Sequence, residues 1–246
     1  MRSSPHRVGV VALVSAGVLL SIAPQTARAG GGSVVSGTVK VAGVAPKPTV
    51  VKVTKDASSC GAEYAGEAAR VDAAGGLANV VVTLRSAKAT APVAALPAPA
   101  KATLDQVGCR YVPHVQAVGV GTELTLINSD RVLHNVHGNV GPVTVFNVAM
   151  PIKGQRLPTK LNRPGLVRLQ CDAGHSWMNA WIYVVEHPYY AVTDAAGRFE
   201  IQDVPVGDYT VELWHEPLDG KGAGTTQTSR LTVTSKPARA DATFKL

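Results

Sequence analysis

Short runs of β-branched and aliphatic residues follow one another along this sequence, with clusters of glycine, proline, asparagine and aspartate between them. Runs of this length that partly alternate in polarity are typical of β-sandwiches and β-barrels. Only Ala62–Val71 has a weakly helical pattern. The sequence therefore predicts an all-β chain, with strands at Ser33–Val41, Thr49–Val53, Ala78–Leu84, Val115–Ile127, Leu166–Gln170, Ala180–Val185, Phe199–Ile201, Tyr209–Trp214 and Thr228–Val233.

The composition is that of a globular protein. Hydrophobic residues make up 46% of the 246 residues, and glycine (24) and proline (16) together number 40. That is about 16% of the chain, below the roughly 25–30% at which low-complexity disorder is expected. The length corresponds to one or two domains.

Residues 1–29 have the pattern of an export signal peptide. The basic start Met1–Arg7 is followed by the apolar run Val8–Ala23, and Ala27, Arg28 and Ala29 form a small-x-small cleavage site. We therefore expect a periplasmic or secreted protein with no stable membrane span after processing. A retained membrane anchor is the alternative for the same residues.

The charge and motif content argue against several function classes. The net charge of +7 includes three leader arginines, so the rest of the chain carries 21 basic and 17 acidic residues, or +4. Aromatic residues make up only 5% and are not interleaved with basic ones, so we expect no nucleic-acid partner. The sequence contains no G-x-S-x-G, H-E-x-x-H, P-loop or G-x-G-x-x-G motif, which predicts a protein that is not an enzyme.

Two breaks in the pattern divide the mature chain. Ser86–Ala102 is rich in alanine and proline, and proline cannot donate a ladder hydrogen bond, so this stretch predicts a linker or surface excursion. A second break follows at His187 and Pro188. We therefore expect three segments: residues 33–101 with the linker, a central domain at 102–187, and a C-terminal domain at 188–246.

The C-terminal segment carries a family resemblance. Its run of the form T-D-x2-G-x-F, followed by V-P-x-G-x-Y-x-V, lies between Thr193 and Val211 and resembles the carboxypeptidase regulatory-like, transthyretin-like β-sandwiches. Such domains begin with strands like those at Gly37–Val41 and Val80–Leu84. The resemblance implies a small second sandwich in which the N-terminal segment joins the C-terminal one, with the central segment inserted between them.

The central segment holds the residues with the clearest chemistry. Asn128, Ser129 and Asp130 end a predicted strand and are followed by His134, and about 35 residues later comes Cys171–Met178 with the sequence CDAGHSWM. A thiolate, two imidazoles and a thioether are the donors of a mononuclear copper electron-transfer site. Thiolate and thioether suit Cu(I), while imidazole serves both oxidation states.

These residues also resemble a known family. Tyr111–Val136 is similar to the cupredoxin strand pair of the form F-x-P…G…N-x-D…H-N-V, and the likeness is closest to amicyanin and plastocyanin. The resemblance implies a Greek-key β-sandwich that holds one copper ion through His134, Cys171, His175 and, axially, Met178. It further implies redox partners such as a dehydrogenase or a c-type cytochrome. We expect His175 to be the ligand nearest the surface, inside an apolar docking patch of Met178 and tryptophans.

One departure from the family concerns the ligand loop. Amicyanin-like loops have two residues between the cysteine and the histidine, whereas three residues, Asp172–Gly174, stand between Cys171 and His175. This spacing leaves the trigonal geometry open, and it leaves Met150 as an alternative axial ligand to Met178. A dinuclear copper loop needs a second cysteine where His175 stands.

The other two cysteines predict a structural bridge. Cys60 and Cys109 flank the linker and would close a loop of about 50 residues, a length at which cross-linking stabilises a fold. Two functional alternatives remain: a protein that binds and delivers copper without an electron-transfer role, and a metal-free interaction scaffold. The remaining histidines could form a second metal site, although no short metal-type spacing links them: His114, His137, His187 and His215.

Overall fold

The structure is a computed structural model that describes residues 32–87, 95–96, 100–218 and 222–246. The predicted signal peptide, residues 1–29, lies outside the described residues, as do residues 88–94 and 97–99 of the predicted linker. The described residues form one short helix, α1 (Ala57–Cys60), and nineteen strands: β1 (Ser33–Val41), β2 (Val50–Lys52), β3 (Glu63–Ala65), β4 (Val81–Ser86), β5 (Lys101–Gln106), β6 (Tyr111–Val112), β7 (Val115–Gly119), β8 (Thr122–Asn128), β9 (His134–Val140), β10 (Val143–Met150), β11 (Arg156–Leu161), β12 (Gly165–Gln170), β13 (Asn179–Val185), β14 (Tyr190–Val192), β15 (Arg198–Val204), β16 (Gly207–His215), β17 (Thr225–Val233), β18 (Ala238–Arg239) and β19 (Ala242–Phe244). The all-β prediction is confirmed.

The central strands form one sandwich of two sheets. One sheet has the order β10-β9-β12-β13-β7, with β7 parallel to β13, and the other has the order β11-β8-β5-β6, with β5 parallel to β8. Alternate residues of these strands point inward, as the two-residue period of a strand requires. They form a shared core that includes Leu104, Leu124, Leu126, Leu169 and Ile182. We call this the central sandwich.

Strands from both ends of the chain form a second sandwich. In one sheet β1 lies between β15 and β18, and β19 also pairs with β1. The other sheet has the order β14-β4-β16-β17. The core between them contains Val35, Val39, Leu84, Ile201 and Phe244. We call this the flanking sandwich; its predicted likeness to the carboxypeptidase regulatory-like family stays a prediction.

A short hairpin lies in the chain between β1 and β4 of the flanking sandwich and packs against the central sandwich. Strands β2 and β3 pair antiparallel, and the residues that join them, 53–62, contain α1. Val53 and Tyr64 are buried in the core of the central sandwich. We call residues 53–62 the strap.

An apolar seam joins the two sandwiches. Val81, Val115, Trp181 and Trp214 pack together there, and the two indole rings meet edge to face at 5.4 Å between centroids. Glu216 accepts hydrogen bonds from Trp181 Nε1 at 2.9 Å and from His114 Nε2 at 2.5 Å. The seam thus combines apolar packing with a buried glutamate that accepts from two neighbouring side chains.

Two predicted elements are wrong. Ala62–Val71 is not a helix, because Gly61 and Gly66 flank a three-residue strand, β3, that pairs with β2. Val115–Ile127 is not one strand, because Gly121 has φ of +86° in a turn that separates β7 from β8. The two strands then join opposite sheets of the central sandwich.

Among the described residues, no helix has the length and apolar character needed to cross a membrane.

Candidate metal centre

His134 enters the site at the start of β9. The preceding loop is held by Asn128, whose Nδ2 donates to the carbonyl oxygens of Met150 at 2.7 Å and of Val132 at 3.1 Å. Asp130 N–H donates back to Asn128 Oδ1 at 3.0 Å. An asparagine that bonds the backbone two residues on stabilises a tight turn. This turn delivers the fully buried His134 to the end of the sandwich.

The other predicted ligands come from the loop between β12 and β13. Cys171 follows the last residue of β12, and Met178 precedes the first residue of β13. Met178 N–H donates to the carbonyl of His175 at 2.9 Å, so the second half of the loop forms a turn. Gly174 has φ of +94°, a conformation that favours glycine. The loop therefore turns Cys171 and His175 inward.

Three of the four predicted ligands meet. His134 Nδ1 lies 3.2 Å from His175 Nδ1, and Cys171 Sγ lies 3.7 Å from the same His175 nitrogen. The donor atoms of the three residues all lie within 4.8 Å of one another, and all three side chains are buried. The structure thus brings two imidazoles and one thiol into a single enclosed cluster.

The spacing of this cluster fits a metal ion. Bonds of about 2.0–2.1 Å to nitrogen and about 2.3 Å to sulfur, at tetrahedral to trigonal angles, separate two nitrogens by about 3.3–3.6 Å and a nitrogen from sulfur by about 3.6–3.8 Å. The observed separations, 3.2 Å and 3.7 Å, are close to these values. The donor set of imidazole and thiol suits copper.

Carboxylates fix the outer nitrogen of both imidazoles. His134 Nε2 lies 2.8 Å from Asp130 Oδ2, and His175 Nε2 lies 2.9 Å from Asp56 Oδ2. A carboxylate accepts, so Nε2 is the donor of each ring in these contacts, and Nδ1 is the nitrogen that each ring directs toward the other. Carboxylate partners of this kind are typical of metal-binding histidines.

The pKa of His134 is lowered. Burial of the imidazole is the main cause, and it outweighs the opposing hydrogen bond and charge of Asp130. The ring is therefore neutral at neutral pH, which is the state in which an imidazole binds a metal.

The two ligand-bearing segments are tied together by polar contacts. Asp172 N–H donates to Asn135 Oδ1 at 3.1 Å, and Asn135 Nδ2 donates to Asn147 Oδ1 at 2.6 Å. His137 Nδ1 lies 2.7 Å from Asp172 Oδ2. Hydrogen bonds from Gln170 and His137 lower the pKa of Asp172 despite partial burial. His137 thus holds the ligand loop against β9.

Tyr111 lies behind the thiol. Its buried hydroxyl donates to the carbonyl of Asn135, the residue that follows His134. Burial raises the pKa of Tyr111 well above its usual value, and the nearby Cys171 and Asp172 raise it further. Tyr111 therefore stays a neutral donor beside the site at every physiological pH.

The two methionines have different surroundings. Met178 is 1% exposed in the central core that also contains Cys171 and Trp177. Met150 pairs with His134 across β9 and β10, and its sulfur accepts a hydrogen bond from Gln106 Nε2 at 3.1 Å. Both side chains belong to the buried core of the central sandwich, and Met150 already uses its sulfur as an acceptor.

The disulfide expected from the sequence is present between Cys60 and Cys109, with Cα atoms 5.2 Å apart. Its two sulfurs and a ring nitrogen of His175 lie within 4.8 Å of one another. Trp177 Nε1 donates to the Cys109 carbonyl at 3.2 Å. The bridge is therefore part of the wall of the cluster.

His175 was expected to be the ligand nearest the surface, inside an apolar docking patch, and the structure does not show such a patch around it. Its side chain is fully buried, because the strap places Asp56 directly over its outer nitrogen. Trp177 and Met178 are 5% and 1% exposed, so they do not form an apolar surface patch around it. The surface at this end of the sandwich is instead formed partly by the strap.

The remaining histidines have other roles in the described part of the chain. His114 and His215 are buried near Glu216 at the seam between the sandwiches, and His187 stacks on Tyr189 at 6.3 Å. The three groupings of potential metal ligands found among the described residues all include His134 or His175. The ligand chemistry is thus concentrated at one place.

Sequence reasoning did not identify two residues of this site. Asp130 is part of the N-x-D…H-N motif, and its position four residues before His134 was the available signal. Asp56 is 119 residues from His175, with no motif around it, so only the fold brings it to the site.

Parts of this chain match solved structures at identities of 21–25% and TM-scores near 0.3. A copper-containing nitrite reductase from Thermus scotoductus SA-01 is 25% identical over 40% of this chain, with a TM-score of 0.32. A purple cupredoxin from Nitrosopumilus maritimus is 23% identical over 34% of this chain and 99% of its own, with a TM-score of 0.30. Amicyanin from Paracoccus versutus is 21% identical over 42% of this chain and 98% of its own, with a TM-score of 0.31.

The match to the nitrite reductase spans only 25% of that chain. No protein-family model and no curated protein matches the sequence. TM-scores near 0.3 are too low for the likeness to support a conclusion about this chain. The function proposed below therefore depends on the residues of the cluster.

Proposed function

We propose that this protein carries electrons through one copper ion, which His134, Cys171, His175 and Met178 would hold. The observation that supports this most strongly is the buried cluster of two Nδ1 atoms and one Sγ atom, with separations of 3.2 and 3.7 Å. Copper bound there would supply a one-electron couple between Cu(I) and Cu(II). In this proposal the protein is an electron carrier and not an enzyme.

The chain's own contribution is to hold these donors in place. Asp130 and Asp56 orient the two imidazoles from outside, and Asn135 and His137 hold the ligand loop. A site that does not rearrange when its charge changes transfers electrons with a small structural cost. The enclosing core excludes water, which strengthens each of these polar contacts.

Export by residues 1–29 would place the protein in the periplasm or outside the cell, where the Cys60–Cys109 bridge is stable. Its partners in this proposal are redox proteins, of which a dehydrogenase and a c-type cytochrome are the classes implied by the sequence resemblance. Interfaces of electron-transfer partners are small and transient.

Voltammetry of the copper-loaded protein tests the proposal. The full chain is expressed with its own leader, recovered after export, loaded with one equivalent of copper and placed on an electrode. A reversible one-electron wave is the expected result. Binding of Cu(I) without a reversible wave would instead support a role in copper delivery. No copper binding would support the alternative of a metal-free interaction scaffold.

A further inference from the structure

The strap lies across the one ligand that the cupredoxin resemblance places nearest the surface. Asp56 Oδ2 lies 2.9 Å from His175 Nε2, and the imidazole has no exposed surface. Asp56 begins α1 in a left-handed conformation, with φ of 51°, and its side chain makes no capping bond to that helix. The carboxylate is therefore directed at His175 instead of at its own backbone.

A second contact fastens the strap to the ligand loop. Lys55 Nζ donates to the carbonyl of Ala173 at 2.5 Å. A Cβ atom at Gly174 would lie 2.9 Å from Lys55 Cδ, so the lysine stem packs directly on the glycine. Ala173 and Gly174 belong to the three-residue spacer that is one residue longer than in amicyanin-like loops. The strap thus binds the part of the loop that departs from the family pattern.

The disulfide connects the segments that carry Asp56 and Asp130, the two carboxylates that contact the histidines. Cys60 ends α1, and its partner Cys109 donates its backbone N–H to Asp130 Oδ2 at 2.8 Å. The same Asp130 oxygen accepts from His134 Nε2 at 2.8 Å. A continuous chain of contacts therefore runs from Asp56, through the bridge, to Asp130.

From these contacts we infer that Asp56 is a positioning residue of the metal centre, and that the strap closes the His175 edge to solvent and to docking partners. The inference rests on the proposed function for its metal. It means that an electron enters or leaves by a route other than the His175 edge, and that copper leaves the site only after the strap moves. Neither property follows from the ligands alone.

The test compares Asp56→Gly with Asp56→Asn. Glycine removes the carboxylate and adopts a φ of 51° without strain, while asparagine keeps a polar oxygen, loses the charge and tolerates the same backbone. Glu63→Gln is the matched control, because it removes an exposed carboxylate from the same hairpin. The readout is the rate at which the Cu(I) protein transfers its metal to excess bathocuproine disulfonate, together with its Cu(I) affinity.

We expect Asp56→Gly to weaken Cu(I) affinity by about 10-fold or more, as for other outer partners of metal-bound histidines, and to speed the transfer by a similar factor. Asp56→Asn should lie between it and the wild type, and Glu63→Gln should match the wild type. Equal transfer rates in Asp56→Gly and the wild type, with unchanged circular dichroism, would overturn the inference.

A second measurement needs no metal. The Nε2–H proton of His175 in the nitrogen-15-labelled metal-free protein should exchange slowly with water in the wild type and at least about 10-fold faster in Asp56→Gly. Fast exchange in the wild type would overturn the inference that the strap closes the His175 edge to solvent. If the wild type binds no copper at all, the proposed function fails, and this exchange experiment still decides whether the strap covers His175.

Discussion

His114 Nε2 donates a hydrogen bond of 2.5 Å to Glu216 Oε1 where the two sandwiches meet. Both side chains are buried, and His114 Nδ1 lies 3.8 Å from Glu67 Oε2. Burial alone would lower the pKa of His114, but the hydrogen bond and charge of Glu216, with Glu67, raise it above its ordinary value. The sandwiches therefore share a buried ion pair when His114 is protonated.

This pair gives the seam a pH dependence. The pKa of His114 is higher in the folded than in the unfolded protein. The stability that protonated His114 adds to the fold is therefore complete below about pH 6.5 and is lost as pH rises through the raised folded pKa. Urea unfolding of the metal-free wild type and of His114→Gln, at pH values from 5.5 to 8.5, should show a difference that shrinks as pH rises. At pH 5.5 we expect the variant to be destabilised on the order of 3 kcal/mol, because Glu216 loses its charged partner. A difference that grows with pH would contradict the assigned pair.

The disulfide predicts a thiol count and a stability change. Under denaturing, non-reducing conditions one thiol per chain should react, that of Cys171, and three should react after reduction. Replacing Cys60 and Cys109 with serine opens a loop of about 50 residues and should lower the free energy of unfolding by up to about 4 kcal/mol. Three reactive thiols before reduction, in protein recovered after export, would remove the bridge.

Substitutions of Met178 and Met150 test which of the two methionines is the thioether ligand. Met178→Leu should retain copper but raise the reduction potential, because losing one donor, and so one ligand of the coordination shell, disfavours Cu(II) more than Cu(I). Met150→Leu should change the potential little, since the Met150 sulfur already accepts from Gln106. Voltammetry of the two variants decides between them. A shift in Met150→Leu with none in Met178→Leu would assign the axial position to Met150.

The parts of the fold that the sequence predicts best have a buried face and local turns. Ser33–Val41 was predicted with its observed bounds, because its residues alternate between buried and partly exposed. Strands β11 (Arg156–Leu161) and β10 (Val143–Met150) were not predicted, since most of their residues are exposed or half-buried. Their pairing is fixed by neighbouring strands that the local sequence does not reveal.

The candidate site divides in the same way. Cys171, His175 and Met178 lie in one loop, and His134 lies in a short motif, so local patterns were enough to select them. The burial of His175 could not be predicted from those patterns, because the strap that covers it comes from residues far away in the sequence. A family resemblance describes the ligands and carries no information about a covering segment outside the resembling region.

The most direct measurement of the central claim is the visible absorption spectrum of the copper-loaded protein beside that of Cys171→Ser. Cys171 is buried next to both imidazoles, so its thiolate should bind Cu(II) and give an intense sulfur-to-copper charge-transfer band at one copper per chain. Cys171→Ser should lose the band while its far-ultraviolet circular dichroism stays that of the wild type. A wild-type spectrum without the band, or a Cys171→Ser protein that keeps it, would contradict a copper centre built on His134, Cys171 and His175.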